Sequence, residues 1–93
     1  MWTVGFSAKA ARQVPKLPER IRERFMALVR SLQVSGPGQP AMPHFGKLKN
    51  QGETYHCHLN KGRPVYVAVW RVNGNQIKFM EVTYVGTHEK APY

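Results

Sequence analysis

Alternating apolar and polar positions predict several short β-strands along this chain. Residues 2–6 alternate in this way and form a first predicted strand. Further strands are predicted at residues 44–49, 53–59, 64–70 and 76–85. The stretch 64–70 is apolar on both faces, which is typical of a central strand that is covered on both sides. Asn73 and Gly74 are a strong hairpin signal between the last two strands.

Helical periodicity is found between the first strand and the remaining ones. Ser7 is a suitable N-cap for a short run of helix formers, which Pro15 stops or bends. A second helix begins near Pro18, a residue suited to the first helical position. Its apolar stripe consists of Ile21, Phe25, Leu28, Val29 and Leu32. Arg20, Arg22, Arg24 and Arg30 lie mostly on the other side. We interpret these arginines as a solvated face, with phosphate contacts as the alternative.

The order of elements is strand, helix, helix and then four strands joined by short connections. Helices that precede a meander indicate an α+β domain. The sequence therefore predicts a single domain over residues 1–93, with two N-terminal helices packed on one face of a small, mostly antiparallel sheet. The opposite face of that sheet is expected to be open.

One predicted strand carries two histidines. Tyr55, Cys57 and Leu59 alternate with His56 and His58, so the imidazoles share one face of the strand. If Cys57 packs inward, both histidines point to the open face of the sheet.

Composition and charge narrow the choice of partners. Fourteen Lys and Arg against five Asp and Glu give a net charge of +9, with a pI near 10.2, which favours a polyanionic partner such as nucleic acid.

The cysteine content and the apolar runs bear on the compartment. A single cysteine, Cys57, cannot form an internal disulfide and suits a reducing compartment. No apolar run has the length of a membrane span, and residues 1–6 do not resemble a signal peptide. We expect a cytoplasmic protein without a membrane partner.

Residues capable of proton transfer and phosphate binding are concentrated in the second half of the chain. His56, His58 and His88 are the candidate acids and bases, Arg63 supplies a fixed cation, and Tyr93 adds a phenol. Candidate RNA-binding residues are Lys47, Lys49 and Lys61. The sequence has no acidic cluster for a divalent metal, no Gly-rich phosphate loop and no Ser or Cys nucleophile motif.

The histidines also have two interpretations other than acid–base catalysis. A His-x-His pair with a distant third histidine is a possible zinc site, but no carboxylate or thiolate is clearly placed to complete it, and we predict neither a metal nor another cofactor. The fourth histidine, His44, lies in a proline-flanked loop, where a solvated side chain is the default interpretation.

Five segments together resemble the RelE/ParE superfamily of bacterial toxins from toxin–antitoxin systems. They are the opening W-x-V-x-F-S, K-L-P-E-R at the second helix, G-K-L-K, Y-H-C-H-L with K-G-R-P-V-Y, and the closing Y-V-G-T-H-E. The resemblance covers nearly the whole chain and implies the same α+β fold. It also implies a type II toxin that acts as a ribosome-dependent mRNA endonuclease, as the RelE/HigB-like members do.

The resemblance further implies roles for individual residues. Family members use basic residues at the strand positions of His56 and His58, an arginine at Arg63, a basic residue or histidine at His88, and an aromatic residue at Tyr93. The strand pair that is lysine in some members is histidine here. The implied reaction is metal-independent cleavage in which the RNA 2′-hydroxyl attacks the adjacent phosphorus. The residues do not show which side chain is the base and which is the acid.

The implied partners are the ribosomal A site, mRNA and a cognate antitoxin with an acidic segment. Two other functions fit the same fold and charge. One is a ParE-like inhibitory protein that acts on DNA gyrase, and the other is a non-toxic RNA-binding module. The ParE-like branch generally lacks this concentrated set of residues, which favours the nuclease.

Overall fold

The computed structural model describes all 93 residues, with two α-helices and five β-strands. In chain order the elements are β1 (Thr3–Phe6), α1 (Ala8–Gln13), α2 (Glu19–Ser35), β2 (Gly46–Lys47), β3 (Thr54–His58), β4 (Tyr66–Val72) and β5 (Phe79–Thr87). Short 3-10 turns follow α1 at Val14–Lys16 and β5 at His88–Lys90. Neither helix combines the length and apolarity needed to span a bilayer.

The strands form one sheet in the order β1-β5-β4-β3-β2. Consecutive strands from β2 to β5 pair antiparallel, and only β1 pairs parallel, with β5. The two helices connect β1 to the rest of the chain and pack on one face, so the predicted α+β architecture is confirmed. β4 lies in the middle of the sheet, as its doubly apolar sequence predicts.

The larger core lies between α2 and the sheet. The predicted stripe from Ile21 to Leu32 is buried in full, and it packs against Trp70, Met80 and Val82 of the central strands. Phe25 has no exposed surface, and truncation of such a side chain to alanine typically costs about 3–5 kcal/mol. The second helix is therefore the main hydrophobic support of the sheet.

The opposite face of the sheet is partly covered rather than open. Val67, Val69 and Tyr84 are buried there beneath Leu48, Val65 and Ala91. A bulge makes this possible: Val69 pairs with Tyr84 but Trp70 pairs with Val82, which leaves Thr83 as an extra residue in β5. The extra residue turns Tyr84 onto the face opposite to Val82.

Several element boundaries differ from the sequence prediction. The strand predicted at 44–49 is limited to Gly46–Lys47, and the strand predicted at 64–70 is Tyr66–Val72. The last strand, predicted at 76–85, begins at Phe79 and continues to Thr87, and Ile77 is 93% exposed in the preceding turn. Pro18 is the N-cap of α2 and not its first helical residue. These differences are local, since apolar character and proline position mark an element without fixing its first residue.

Candidate active site

Strand β3 places His56 and His58 on the face of the sheet away from the helices. Cys57 between them has no exposed surface and belongs to the helix-side core. The two histidines pair across the sheet with Val69 and Val67, so they share the face of those valines. The sequence prediction that alternation directs both imidazoles away from the core is confirmed.

A loop over residues 36–45 carries His44 to the same place. The Trp70 indole Nε1 donates a hydrogen bond to the Pro37 carbonyl oxygen at 3.0 Å. At the other end, the backbone N–H of His58 donates to the Pro43 carbonyl oxygen at 2.8 Å. With both ends held, the His44 ring stacks on His58, with ring centroids 4.1 Å apart and planes at 23°. His44 was not among the residues predicted for the site.

The C-terminal segment supplies the other two aromatic rings. Beyond β5 the backbone N–H of His88 donates to the Val65 carbonyl oxygen at 2.8 Å, and the chain turns back over the sheet. The His88 ring then lies 5.4 Å from that of His58, edge to face. Tyr93 lies 4.8 Å from His56 and 5.9 Å from His88, between ring centroids. All three histidines of the predicted site and Tyr93 therefore form one continuous group with His44.

Two further contacts hold this C-terminal segment in position. The Tyr84 hydroxyl donates a hydrogen bond to the Thr87 carbonyl oxygen at 2.7 Å, where β5 ends. Ala91 packs against the small core of Val67, Val69 and Tyr84. The segment is thus anchored upstream of Tyr93, whose own side chain remains 41% exposed.

Arg63 and Lys61 lie beside the histidine group on its solvent-exposed side. Both are exposed, and both line a cleft of about 360 Å³ together with His58 and His88. The other lining residues are Pro64, Val65, Thr87 and Glu89. Glu89 is the one carboxylate in a cleft that otherwise presents imidazoles and cations. The structure thus brings four of the candidate residues, His58, His88, Arg63 and Lys61, to one cleft.

Burial and mutual repulsion favour neutral imidazoles on β3. Burial lowers the pKa of His58, and the nearby His44, His88 and His56 lower it further. Burial is also the main cause that lowers the pKa of His56, followed by the charges of His88 and His44. The Nδ1 atom of His56 is buried without a hydrogen-bond partner. A neutral imidazole near physiological pH can accept a proton, which suits a general base.

Cys57 and Tyr93, which lie near the histidines, are less suited to proton transfer. Burial raises the pKa of the Cys57 thiol to about 12, so this residue is a core side chain and not a nucleophile, as the sequence predicts. Burial also raises the pKa of the Tyr93 phenol, with smaller contributions from Cys57 and Tyr84. Tyr93 can donate a hydrogen bond or stack on a base in its neutral form.

The three candidate RNA-binding lysines lie in different surroundings. Lys61 lines the cleft with Arg63. Lys47 forms a salt bridge with Glu53 at 3.3 Å. In the register of the sheet Lys47 lies opposite Tyr55, which packs toward the helix-side core. Lys49 is exposed in the turn after β2. Of the three, only Lys61 is part of the cleft.

No three His, Cys, Asp or Glu side chains are arranged so that they could hold a metal ion. His44 and His58 are stacked face to face, and His56 contacts Tyr93 instead of another ligand. The group offers acids, bases and cations close together, which is the set that phosphodiester cleavage by side chains requires.

The fold has counterparts among solved structures. The chain has the fold of the RelE/ParE-like toxins, and the resemblance inferred from the sequence motifs is confirmed at the level of the fold. No sequence model of a protein family and no curated protein sequence matches the chain.

Three solved structures illustrate the likeness. The isolated E. coli RelE toxin is 22% identical, with a TM-score of 0.72 over 99% of this chain and 89% of that chain. The E. coli DinJ-YafQ toxin–antitoxin complex gives 14% identity and a TM-score of 0.75 over 99% and 98% of the two chains. The YoeB dimer from Staphylococcus aureus gives 16% identity and a TM-score of 0.72 over 94% and 97%.

Proposed function

We propose that this protein is the toxin of a type II toxin–antitoxin system and cleaves mRNA on the ribosome. The observation that supports this most strongly is the cleft in which His58 and His88 lie beside Arg63 and Lys61. A gyrase inhibitor or a plain RNA-binding module has no need of two imidazoles at the mouth of a cationic cleft. The site of action would be the cytoplasm, where ribosomes and mRNA are found.

The proposed reaction uses the RNA 2′-hydroxyl as the nucleophile. Neutral His58 accepts the 2′-hydroxyl proton, and the oxygen attacks the adjacent phosphorus. The bond from phosphorus to the 5′-oxygen breaks, and protonated His88 donates a proton to that oxygen. The products are a 2′,3′-cyclic phosphate and a free 5′-hydroxyl, so atoms and protons balance. General acid–base catalysis of this kind typically contributes about 10²–10⁴ in rate for each group.

The cations act on the charge that develops at phosphorus. Arg63 stabilises the phosphorane oxygens with a permanent charge, and a preorganised donor of this kind typically contributes about 10²–10³ in rate. Lys61, on the same turn, holds the incoming phosphate. His56 lies behind Tyr93, which suits a supporting role for His56 and a stacking role for Tyr93 on a nucleobase.

His44 has a place in this mechanism that the sequence did not indicate. Its ring covers one face of His58 and, when protonated, disfavours a second positive charge there. It is a positioning residue, because it acts through His58 and not on the RNA. Its contact favours the neutral His58 that a general base requires.

A cognate antitoxin follows from the same proposal. The solved complexes DinJ-YafQ and RelBE each pair a toxin of this fold with an antitoxin. For this chain we propose a partner with an Asp- or Glu-containing segment over the His56–Arg63 region, since a bound segment has to compensate the cations it desolvates. The neighbouring reading frame should encode a protein that binds this one and restores growth.

Inducible expression together with cleavage on purified ribosomes tests the function. We expect growth arrest and cuts within translated frames for the wild type, and neither for His58→Gln. Ribosomes programmed with mRNA that has a 2′-deoxy sugar before the scissile phosphate should resist cleavage. Cleavage of the 2′-deoxy mRNA at the normal rate would overturn the mechanism. DNA-damage signalling with intact mRNA would support gyrase as the target instead.

EDTA is the control for the metal alternative. Activity should persist when the protein is treated with EDTA before mixing with ribosomes. Loss of activity that zinc restores would instead identify a metal enzyme.

A further inference from the structure

A second basic pocket lies on the other side of the turn that carries Lys61 and Arg63. It has a volume of about 470 Å³ and lies between the start of α2 and the turn after β3. Its lining contains Arg20, Arg24 and Lys61 and no acidic residue; Ile21, Pro43, Leu59, Asn60 and Gly62 complete it. We infer that this pocket binds a backbone phosphate of the RNA substrate next to the cleavage site. This inference deepens the proposed function and rests on it for the identity of the RNA.

The arginines of α2 differ in their contacts, and two of them are directed to this pocket. The Arg24 guanidinium donates to the Leu59 carbonyl oxygen at 3.2 Å, which fixes its orientation across the pocket. Arg22 instead reaches the carbonyl oxygens of Pro15 and Leu17, at 3.5 Å each. Arg20 has no ion-pair partner, since the one salt bridge of the molecule joins Lys47 and Glu53. The pocket therefore combines one oriented guanidinium with cations that no carboxylate neutralises.

The backbone adds to this preference for an anion. α2 begins after Pro18, which provides no side-chain cap, so the first N–H groups of a 17-residue helix have no side-chain acceptor. Arg20 and Ile21, from that first turn, line the pocket. Glu19 also belongs to this first turn but does not line the pocket. In the pocket itself, the positive end of the helix dipole and the side-chain cations favour the same ligand charge.

Lys61 connects this pocket to the histidine cleft, because it lines both. An RNA strand that places its scissile phosphate between His58 and Arg63 can cross the turn at Lys61 and bring another phosphate to Arg20 and Arg24. The extra contact would hold the register of the strand without reading its bases. The pocket would then contribute to RNA affinity and have no part in proton transfer.

Binding of uncleavable RNA tests the pocket separately from catalysis. The probes are a fluorescent 2′-O-methyl dinucleotide and a longer 2′-O-methyl strand of about ten nucleotides, within the range of single-strand site sizes. Fluorescence anisotropy measures the affinity of each over a series of salt concentrations. Arg20→Gln should weaken binding of the longer strand and reduce its salt slope by about 0.7, the value for one lost contact to a single strand. It should leave binding of the dinucleotide unchanged.

Arg30→Gln is the matched control. Arg30 is an exposed arginine on the same helix, it does not line the pocket, and its substitution removes the same charge. Equal effects of Arg20→Gln and Arg30→Gln on the longer strand would overturn the inference, because they would show a general charge effect. A larger loss of affinity for a Glu-rich peptide than for RNA in Arg20→Gln would assign the pocket to an acidic protein segment and also overturn it.

Cleavage on ribosomes separates this inference from the proposed function. If the Arg20→Gln pattern is found but the wild type does not cut mRNA, the phosphate pocket stands and the nuclease proposal fails. If the wild type cuts mRNA but Arg20→Gln binds the longer strand as Arg30→Gln does, the pocket fails and the nuclease stands. Circular dichroism of each variant confirms that it remains folded.

Discussion

The imidazole rings of His44 and His58 are stacked with their centroids 4.1 Å apart, although they come from a loop and a strand that are separated along the chain. His58 also faces the edge of His88 at 5.4 Å. The proposed base is therefore enclosed by two further titratable rings, with Lys61, Arg63 and Glu89 lining the cleft beside it. Its pKa is lowered by burial and, to a smaller extent, by the neighbouring His44, His88 and His56.

Replacement of His44 should make His58 easier to protonate. His44→Asn removes a ring that covers His58 and whose positive charge, when present, disfavours protonation of His58, so the pKa of His58 should rise toward its ordinary value. Asparagine also tolerates the positive φ of 55° at this position. NMR titration of the imidazole signals measures the pKa directly, without any assay of activity. An unchanged His58 pKa in this variant would show that the stacked ring has no electrostatic effect.

The histidines of β3 should make the fold less stable in acid. The pKa values of His56 and His58 in the folded state are lowered, chiefly by burial. Since the unfolded chain then binds more protons, the free energy of unfolding should begin to fall as the pH drops below about 6.5 and level off below the folded-state pKa values. Urea unfolding on both sides of this pH measures the effect. His58→Gln should make the decrease smaller; an identical pH dependence in His58→Gln and the wild type would contradict this account.

Arg63 and His58 should affect the pH dependence of cleavage differently. Arg63→Ala should lower single-turnover cleavage by about 10²–10³ and leave the limbs of a bell-shaped profile in place, because its charge does not titrate. His58→Gln should abolish the limb that reports the base, together with most of the rate. Ribosome binding must be measured at each pH as a control. A flat profile in the wild type would mean that the histidines do not carry the proton transfers.

Removal of Tyr93 should affect catalysis more than folding. Its ring contacts His56 and His88 but remains 41% exposed, and Ala91 anchors the segment independently. A chain that ends at Pro92 should therefore unfold at nearly the wild-type urea concentration while cleavage on ribosomes decreases. Tyr93→Phe separates stacking from hydrogen bonding, since it retains the ring and loses the hydroxyl. A large loss of stability on truncation would instead make Tyr93 a structural residue.

Trp70 should influence the site at a distance. Its indole holds the loop that carries His44 through the bond to the Pro37 carbonyl oxygen. Trp70→Phe keeps an aromatic core residue but removes this donor, and loss of a hydrogen bond with its partner left in place costs about 1–3 kcal/mol. We expect lower stability in urea and a rise in the His58 pKa, as in His44→Asn. A drop in stability without any change in that pKa would show that the loop is held by its other contacts.

The sequence by itself determined the elements and the direction of most side chains. The stripe from Ile21 to Leu32 repeats at the helical period, and its burial needs no knowledge of which strands it covers. The alternation around Cys57 likewise fixed the face of His56 and His58, because one residue decides the direction of its neighbours in a strand. The family motifs indicated the fold and singled out His58, Arg63 and His88, which the structure brings to one cleft.

Only the tertiary structure decided what lies around those residues. The loop that stacks His44 on His58 is joined to the sheet by two hydrogen bonds, at Pro37 and Pro43, between segments that are distant in sequence, and no local pattern encodes them. The bulge at Thr83 turns Tyr84 onto the histidine face, and a strictly alternating strand would have placed Tyr84 elsewhere. In a regular strand or helix the sequence determines direction, since direction there is a property of the local backbone. Proximity is decided by long-range packing, which brings each side chain its neighbours and sets its protonation.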